Sequence, residues 1–134
     1  MTAQGVATQA SDREGGLSPA ELRQQNHRFA HTGGVSQTSG QRGFLPAFLD
    51  QATGISYLAR FPDGRPAPMH LLDGLPEELI QQRSHSGRVH SLKTSVVAGF
   101  LRRGRFFTRE QAARALRLAE RIHSLRQPAQ QQSA

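Results

Sequence analysis

The apolar residues near the C-terminus recur with the period of a helix. Over residues 109–126 they share one half of a helical surface at about 100° per residue, and they are Ala112, Ala115, Leu116, Leu118, Ala119, Ile122 and Leu125. Thr108 and Gln111 have the spacing of a capping box, which predicts where the helix begins. The opposite half of this amphipathic C-terminal helix carries three basic residues, Arg114, Arg117 and Arg121.

The stretch before this helix has two interpretations. The β-branched pair Val96 and Val97 favours a strand. Ser95 as an N-cap and Gly104 as a left-handed stop favour a short helix over residues 95–104. We favour the helix, which makes residues 104–108 the connection between two helices.

The middle of the chain predicts short strands. Residues 43–50 and 55–61 have the pattern of a β-hairpin joined by a Gly-containing loop, and Pro46 places the first strand at an edge of its sheet. Residues 69–72 predict a further short strand, which Asp73 and Gly74 end.

Two more segments complete the predicted sheet. Residues 77–83 follow Pro76 and are either a strand or one helical turn. Gly87 then reverses the chain into a strand over residues 88–93. The sum is an α+β fold, a small antiparallel meander of hairpins closed by the amphipathic C-terminal helix.

The N-terminal part predicts one short helix between polar segments. Ser18 and Glu21 form a second capping box, and the helix runs to about Ala30. The Gly/Ser/Thr-rich stretch that follows is a linker, so we assign residues 18–42 to a short helix and a linker, and residues 43–126 to a single α+β domain. We expect disordered tails at 1–17 and 127–134, where few side chains can be buried.

Composition narrows the class of protein. The chain has no cysteine, which excludes disulfides and thiolate metal sites and fits a cytoplasmic protein. We expect no secretory signal, because the N-terminus lacks a basic segment followed by an apolar one. No apolar run approaches the roughly 20 residues that span a bilayer, so we expect no membrane partner.

The net charge of +7 is concentrated near the C-terminus. Residues 88–126 hold ten basic and two acidic residues, whereas residues 1–87 hold seven basic and eight acidic ones. Such asymmetry is typical of proteins that face a polyanion. A general bias of the amino-acid composition toward arginine explains the number of basic residues equally well, and we give the two explanations equal weight.

Residues that often perform catalysis or bind metal have ordinary explanations here. His27 and His31 are four residues apart, yet they lack the further ligands that zinc needs. Asp50, Asp63 and Asp73 end predicted strands, where an Asp oxygen usually bonds the local backbone. No motif supplies an activated nucleophile. We therefore expect a protein without catalytic residues, metal or cofactor, and not an enzyme.

The strongest functional pattern interleaves arginine with phenylalanine over residues 100–109. Arginine contacts phosphate, and aromatic rings stack on bases, although we expect most of these phenylalanines to be core. The predicted nucleic-acid-binding residues, for DNA or RNA, are Arg102, Arg103, Arg105, Arg109, Arg114, Arg117 and Arg121. The alternative is a protein-interaction module or inhibitor that binds an acidic protein partner.

Three segments also carry a family resemblance. Residues 44–50, 53–79 and 87–112 resemble a family of short uncharacterised bacterial proteins associated with plasmids or other mobile elements. The resemblance covers roughly Asn26 to Ala113. It implies an accessory role rather than core metabolism, and it implies no catalytic residues.

Overall fold

Two antiparallel sheets and three helices form residues 16–126, the part of the chain that the computed structural model describes. The helices are α1 (Pro19–Arg28), α2 (Ser36–Ser39) and α3 (Arg109–Arg126). The strands are β1 (Leu45–Asp50), β2 (Ile55–Leu58), β3 (Ile80–Arg83), β4 (Val89–Leu92), β5 (Val96–Arg102) and β6 (Arg105–Thr108). The predicted α+β class is therefore confirmed.

Both predicted capping boxes fall at helix starts. The Ser18 hydroxyl accepts from the Glu21 backbone N–H at 3.1 Å, and α1 follows. At α3 the Gln111 N–H donates to the Thr108 hydroxyl at 3.1 Å, and the Gln111 side-chain oxygen accepts from the Thr108 N–H at 2.9 Å. Each bond satisfies a backbone donor that the first helical turn leaves free.

The larger sheet has the strand order β2-β1-β5-β6, and β3 and β4 form a separate two-stranded sheet. The predicted β1–β2 hairpin is present, but β1 is an inner strand and not an edge. Pro46 is tolerated because its carbonyl points toward the β2 side, where it accepts from Ala59 beyond the end of the β1–β2 pairing. The N–H that proline lacks would point the same way, so no bond to β5 is lost.

Residues 95–104, predicted to be a helix, contain strand β5 instead. The strand pairs with β1 along its length and with β6 over its second half. Val96, Ala98 and Phe100 point to one face and are buried, which is the alternation of a strand. Gly104 does have a positive φ, but it belongs to the β5–β6 turn and caps no helix. Pairing with two neighbouring strands outweighed the local capping signals.

The predicted linker is also packed. Thr32 bonds both the Phe29 carbonyl and the Gly34 N–H, and α2 and a 3-10 turn at Gly40–Arg42 follow. A Cβ at Gly33 would meet Leu116 and the Ala112 carbonyl of α3 closer than atoms allow. The glycines of this segment therefore permit a close approach to α3, where a flexible linker would need no contact.

Three other sequence predictions have clear outcomes. Residues 69–72, predicted as a strand, form a loop that turns His70 and Leu72 into the core. The two alternatives for residues 77–83 both occur, a 3-10 turn at Glu77–Leu79 followed by β3. Leu17, assigned to the N-terminal tail, is 2% exposed and part of the core. Residues 1–15 and 127–134 of the predicted tails lie outside the described residues.

The buried apolar residues form two clusters. The larger lies around Phe48, Leu79, Leu92 and Val96, and the smaller joins Phe44 and Phe100 to Ala112 and Leu116 of α3. The His70 ring packs edge-on against Phe48 of the first cluster at 5.3 Å and against Phe100 of the second at 5.2 Å. One histidine therefore joins the two clusters.

The helix α3 contacts the core only with its first half. Arg109, Ala112, Ala113 and Leu116 form its buried stripe. Past Leu116 that stripe continues with small or polar residues, Ala119, Glu120 and His123. Leu118, Ile122 and Leu125, predicted to be on the same buried half, lie on a different stripe and are 55%, 42% and 76% exposed.

Candidate nucleic-acid interface

The β5–β6 hairpin presents three of the predicted arginines at one tip. Arg102 and Arg105 are cross-strand partners, so their side chains lie on the same face of the sheet. Arg103 and Gly104 form the turn, with φ of 54° and 79°. Two positive φ values are typical of the tight turn that fits the twist of a hairpin, and Asn or Gly is usual at both positions. Arginine is therefore unfavourable at position 103 for the backbone conformation. The Arg103 side chain is exposed to solvent.

Two of these guanidinium groups lie over aromatic rings. Arg102 lies 5.0 Å from the centre of the Phe44 ring, and Arg105 lies 5.1 Å from the centre of the Phe107 ring. The two rings contact each other edge-on at 5.1 Å. Cation–π contact holds a guanidinium plane in place and leaves its outer face and N–H donors free for phosphate or a base. The phenylalanines therefore act mainly as core and as supports for arginine.

A second group of arginines lies along α3. Arg114, Arg117 and Arg121 are exposed and follow one another at spacings of three and four residues, which places them on one stripe of the helix. Like charges at these spacings disfavour the helix slightly. Bound anions would remove that repulsion.

Among the described residues, no arginine of either group forms an ion pair with a carboxylate. Within residues 16–126 the ion pairs are Arg65–Asp63, Arg83–Glu77 and Arg88–Asp73, and all three lie outside the hairpin and α3. The three carboxylates that form these pairs therefore neutralise arginines near them in the chain, and none of the three neutralises an arginine of the hairpin or of α3. The arginines of the two groups, none of which belongs to an ion pair of these residues, are Arg102, Arg103, Arg105, Arg114, Arg117 and Arg121.

Arg109, predicted to belong to this surface, is instead 2% exposed. Its guanidinium donates to the Gln25 side-chain oxygen at 2.9 Å, to the Gly34 carbonyl at 2.8 Å and to Nδ1 of His70 at 3.3 Å. Burial, and next the nearby Arg28 charge, lower the pKa of Arg109 to about 10, so the group stays charged at neutral pH. Arg109 therefore holds the fold together and is removed from the candidate interface. The helical spacing from Ala112 and Leu116 was the signal that it is buried.

His70 is the residue that sequence reasoning missed. Its Nε2–H donates to the Gly99 carbonyl at 2.7 Å, which leaves Nδ1 as the acceptor for Arg109. Burial, and next the Arg109 charge, lower the pKa of His70 to about 4, so the ring is neutral at neutral pH. The apolar neighbours of His70 in the sequence were the only hint of its burial.

The remaining candidates have structural roles. Asp50, Asp63 and Asp73 each accept from a backbone N–H, at Ala52, Arg65 and Val89 respectively. His27 and His31 are exposed, and within residues 16–126 no group of three or more His, Asp or Glu side chains is placed to hold a metal ion. A cleft of about 550 Å³ between α1 and the β3–β4 hairpin is lined by His70 and Arg88 and lies apart from the arginine surface.

Comparison with protein-family models, with curated proteins and with solved structures finds no match to this chain. The family resemblance of residues 44–112 therefore stays a prediction. None of the helices in residues 16–126 has the length and apolar character that crossing a membrane requires.

Proposed function

We propose that this protein binds nucleic acid through the arginines of the β5–β6 hairpin and of α3. The observation that carries the proposal is the separation of charge. Every ion pair of the described residues lies between residues 63 and 88, whereas the six arginines of the two groups on the hairpin and α3, five of them exposed and Arg102 half-buried, have no carboxylate within ion-pair distance. A surface kept positive in this way attracts a polyanion.

The hairpin is the more specific part of this proposal. Stacking on Phe44 and Phe107 restrains Arg102 and Arg105, so less side-chain entropy is lost when they contact phosphate. Arg103 occupies a left-handed position that costs a residue with a side chain roughly 1 kcal/mol. A residue that breaks a backbone preference at an exposed tip is typical of a functional position.

The expected mode of binding is electrostatic and largely independent of sequence. Guanidinium groups contact phosphate oxygens bidentately, and their outer faces can stack on exposed bases. The proposed role is binding and not catalysis, because the candidate carboxylates are engaged in turns and ion pairs.

The experiment is a titration of a fluorescent oligonucleotide with three proteins, the natural chain and two triple variants of equal net charge. The test variant is Arg102→Gln/Arg103→Gln/Arg105→Gln, and the control is Arg65→Gln/Arg83→Gln/Arg88→Gln, which removes ion-paired arginines. We expect the affinity to fall at least about tenfold in the test variant and about twofold or less in the control. Equal losses in the two variants would mean that only net charge matters, and no loss in either would contradict the proposal.

A further inference from the structure

The outer half of α3 has an apolar stripe that the rest of the described chain leaves uncovered. Leu118, Ile122 and Leu125 are 55%, 42% and 76% exposed and are spaced four and three residues apart. Ala115 precedes them by three residues and touches the smaller core cluster, so the stripe begins where the core ends. Contiguous large aliphatic side chains differ from the single exposed ones that ordinary surfaces carry, and they indicate an interaction site.

The spacing of the stripe fits a helical partner. Ala115, Leu118, Ile122 and Leu125 alternate steps of three and four, which are the a and d positions of a helix that packs along another helix. A partner helix with the same apolar spacing would insert its side chains between them. The buried stripe through Ala112 and Leu116 lies on another side of α3, so a partner that covers Leu118, Ile122 and Leu125 would leave that stripe packed in the core.

The charges beside the stripe specify the chemistry of that partner. Arg114 and Arg121 lie along one edge, at the positions that flank an a/d seam, and Arg126 lies along the other. Glu120, the acidic residue of this half, lies on the opposite side of the helix by the helical period. We infer that α3 docks an acidic amphipathic helix of a protein partner, with Leu or Ile in its seam and Glu or Asp at its edges.

Two other occupants fit the stripe less well. A second copy of this chain would place Arg121 opposite Arg126 in a parallel pair, or Arg114 opposite Arg121 in an antiparallel pair, and like charges at these positions oppose pairing. Nucleic acid would contact the arginines, but aliphatic Leu118 and Ile122 neither stack on bases nor bond phosphate. An acidic helix uses both the apolar and the charged groups.

This inference is independent of the proposed nucleic-acid site on the hairpin. Arg102, Arg103 and Arg105 lie on the β5–β6 tip and not on the apolar stripe. A docked acidic helix and a nucleic acid would compete for the α3 arginines, while the hairpin arginines stay available. Variants of the stripe and of the hairpin therefore separate the two proposals.

The probe is a designed peptide of about three heptads with Ile at a, Leu at d and Glu at e and g. Repulsion between the glutamates of two copies keeps this peptide from pairing with itself at neutral pH. In a complex with α3 the glutamates would lie beside the arginines that flank the stripe, and this repulsion would be absent. A control peptide has Lys in place of every Glu. Fluorescence anisotropy measures the binding of each labelled peptide to the full chain.

The test variant is Leu118→Gln/Ile122→Gln, which keeps two good helix formers at exposed positions. Ile55→Gln is the control, since Ile55 is an aliphatic residue of similar exposure, 51%, on β2. We expect saturable binding of the acidic peptide that falls at least about tenfold in the test variant and stays unchanged in the control. The lysine peptide should not bind.

Several outcomes would overturn the inference. The inference is wrong if the acidic peptide fails to bind, or if the Leu118→Gln/Ile122→Gln variant binds it as well as the natural chain does. A dimer that sedimentation detects in the natural chain and not in the variant would assign the stripe to a second copy. Loss of oligonucleotide binding in this variant as large as in the hairpin variant would assign it to nucleic acid. Failure of the peptide alone, with hairpin-dependent oligonucleotide binding intact, leaves the proposed function standing.

Discussion

Arg109 donates a hydrogen bond to Nδ1 of His70 at 3.3 Å, in the interior of the protein and with no carboxylate in its set of partners. The other side of the His70 ring donates to Gly99 of β5 at 2.7 Å. The start of α3, the inner strand β5 and the loop around His70 are therefore linked by one chain of bonds. The hydrogen bonds that Arg109 donates to Gln25 of α1 and to the Gly34 carbonyl extend this network. This network therefore fixes the position of α3, the helix that carries the second group of arginines on its exposed side.

Removal of Arg109 should destabilise the fold. Arg109→Met leaves the Gln25 oxygen, the Gly34 carbonyl and Nδ1 of His70 without their donor. A buried acceptor left unpaired costs about 1–3 kcal/mol, so we expect the free energy of unfolding in urea to fall by at least about 2 kcal/mol. Arg114→Met on the exposed side of the same helix is the control and should change it by less than about 0.5 kcal/mol. Equal changes in the two variants would contradict the structural role of Arg109.

His70 should make the stability depend on pH. Because folding lowers its pKa from 6.5 to about 4, the unfolded chain binds the proton more readily between these values. The stabilisation is complete above about pH 6.5 and is lost as the pH falls toward 4, by about 3 kcal/mol in total. His70→Gln should flatten the decline of the unfolding free energy between pH 6.5 and 5, where carboxylates contribute little. The same slope in both proteins would show that His70 is not the group responsible.

Replacement of Arg103 should stabilise the fold and weaken nucleic-acid binding. Asparagine tolerates the left-handed conformation at the first position of the β5–β6 turn better than arginine does. We expect Arg103→Asn to raise the free energy of unfolding by about 0.5–1 kcal/mol and to weaken oligonucleotide binding. Arg103→Lys is the control, since it keeps the charge and gains no backbone relief. A variant that gains stability and binds as tightly as the natural chain would remove Arg103 from the interface.

Local signals predicted a good part of the fold. Ser18 and Thr108 cap helices in the structure as their sequence spacing indicates, and the β1–β2 hairpin follows its alternating pattern. The strand β5 was predicted as a helix, because its conformation depends on pairing with β1 and β6 and the caps at Ser95 and Gly104 are local. The glycines at 33 and 34 looked like a linker because their contact with α3 is visible only in three dimensions.

Only part of the candidate site was predictable from the sequence. The sequence places Arg114, Arg117 and Arg121 on one stripe of a helix, and the structure exposes them. Arg109 was assigned to that surface by its charge, although its spacing from Ala112 assigns it to the core. Its bond to His70 spans residues far apart in the chain, and no spacing in the sequence indicates such a bond. The support of Arg102 by Phe44 is another contact of this kind.

The measurement that tests the central proposal most directly is the salt dependence of oligonucleotide binding. The logarithm of the association constant should fall linearly with the logarithm of the salt concentration, with a slope of about −0.7 to −0.9 for each phosphate contacted. The Arg102→Gln/Arg103→Gln/Arg105→Gln variant should have a slope shallower by about 2–3, whereas the Arg65→Gln/Arg83→Gln/Arg88→Gln variant should keep the natural slope. An unchanged slope in the hairpin variant, or a loss of equal size in both, would contradict binding through the hairpin arginines.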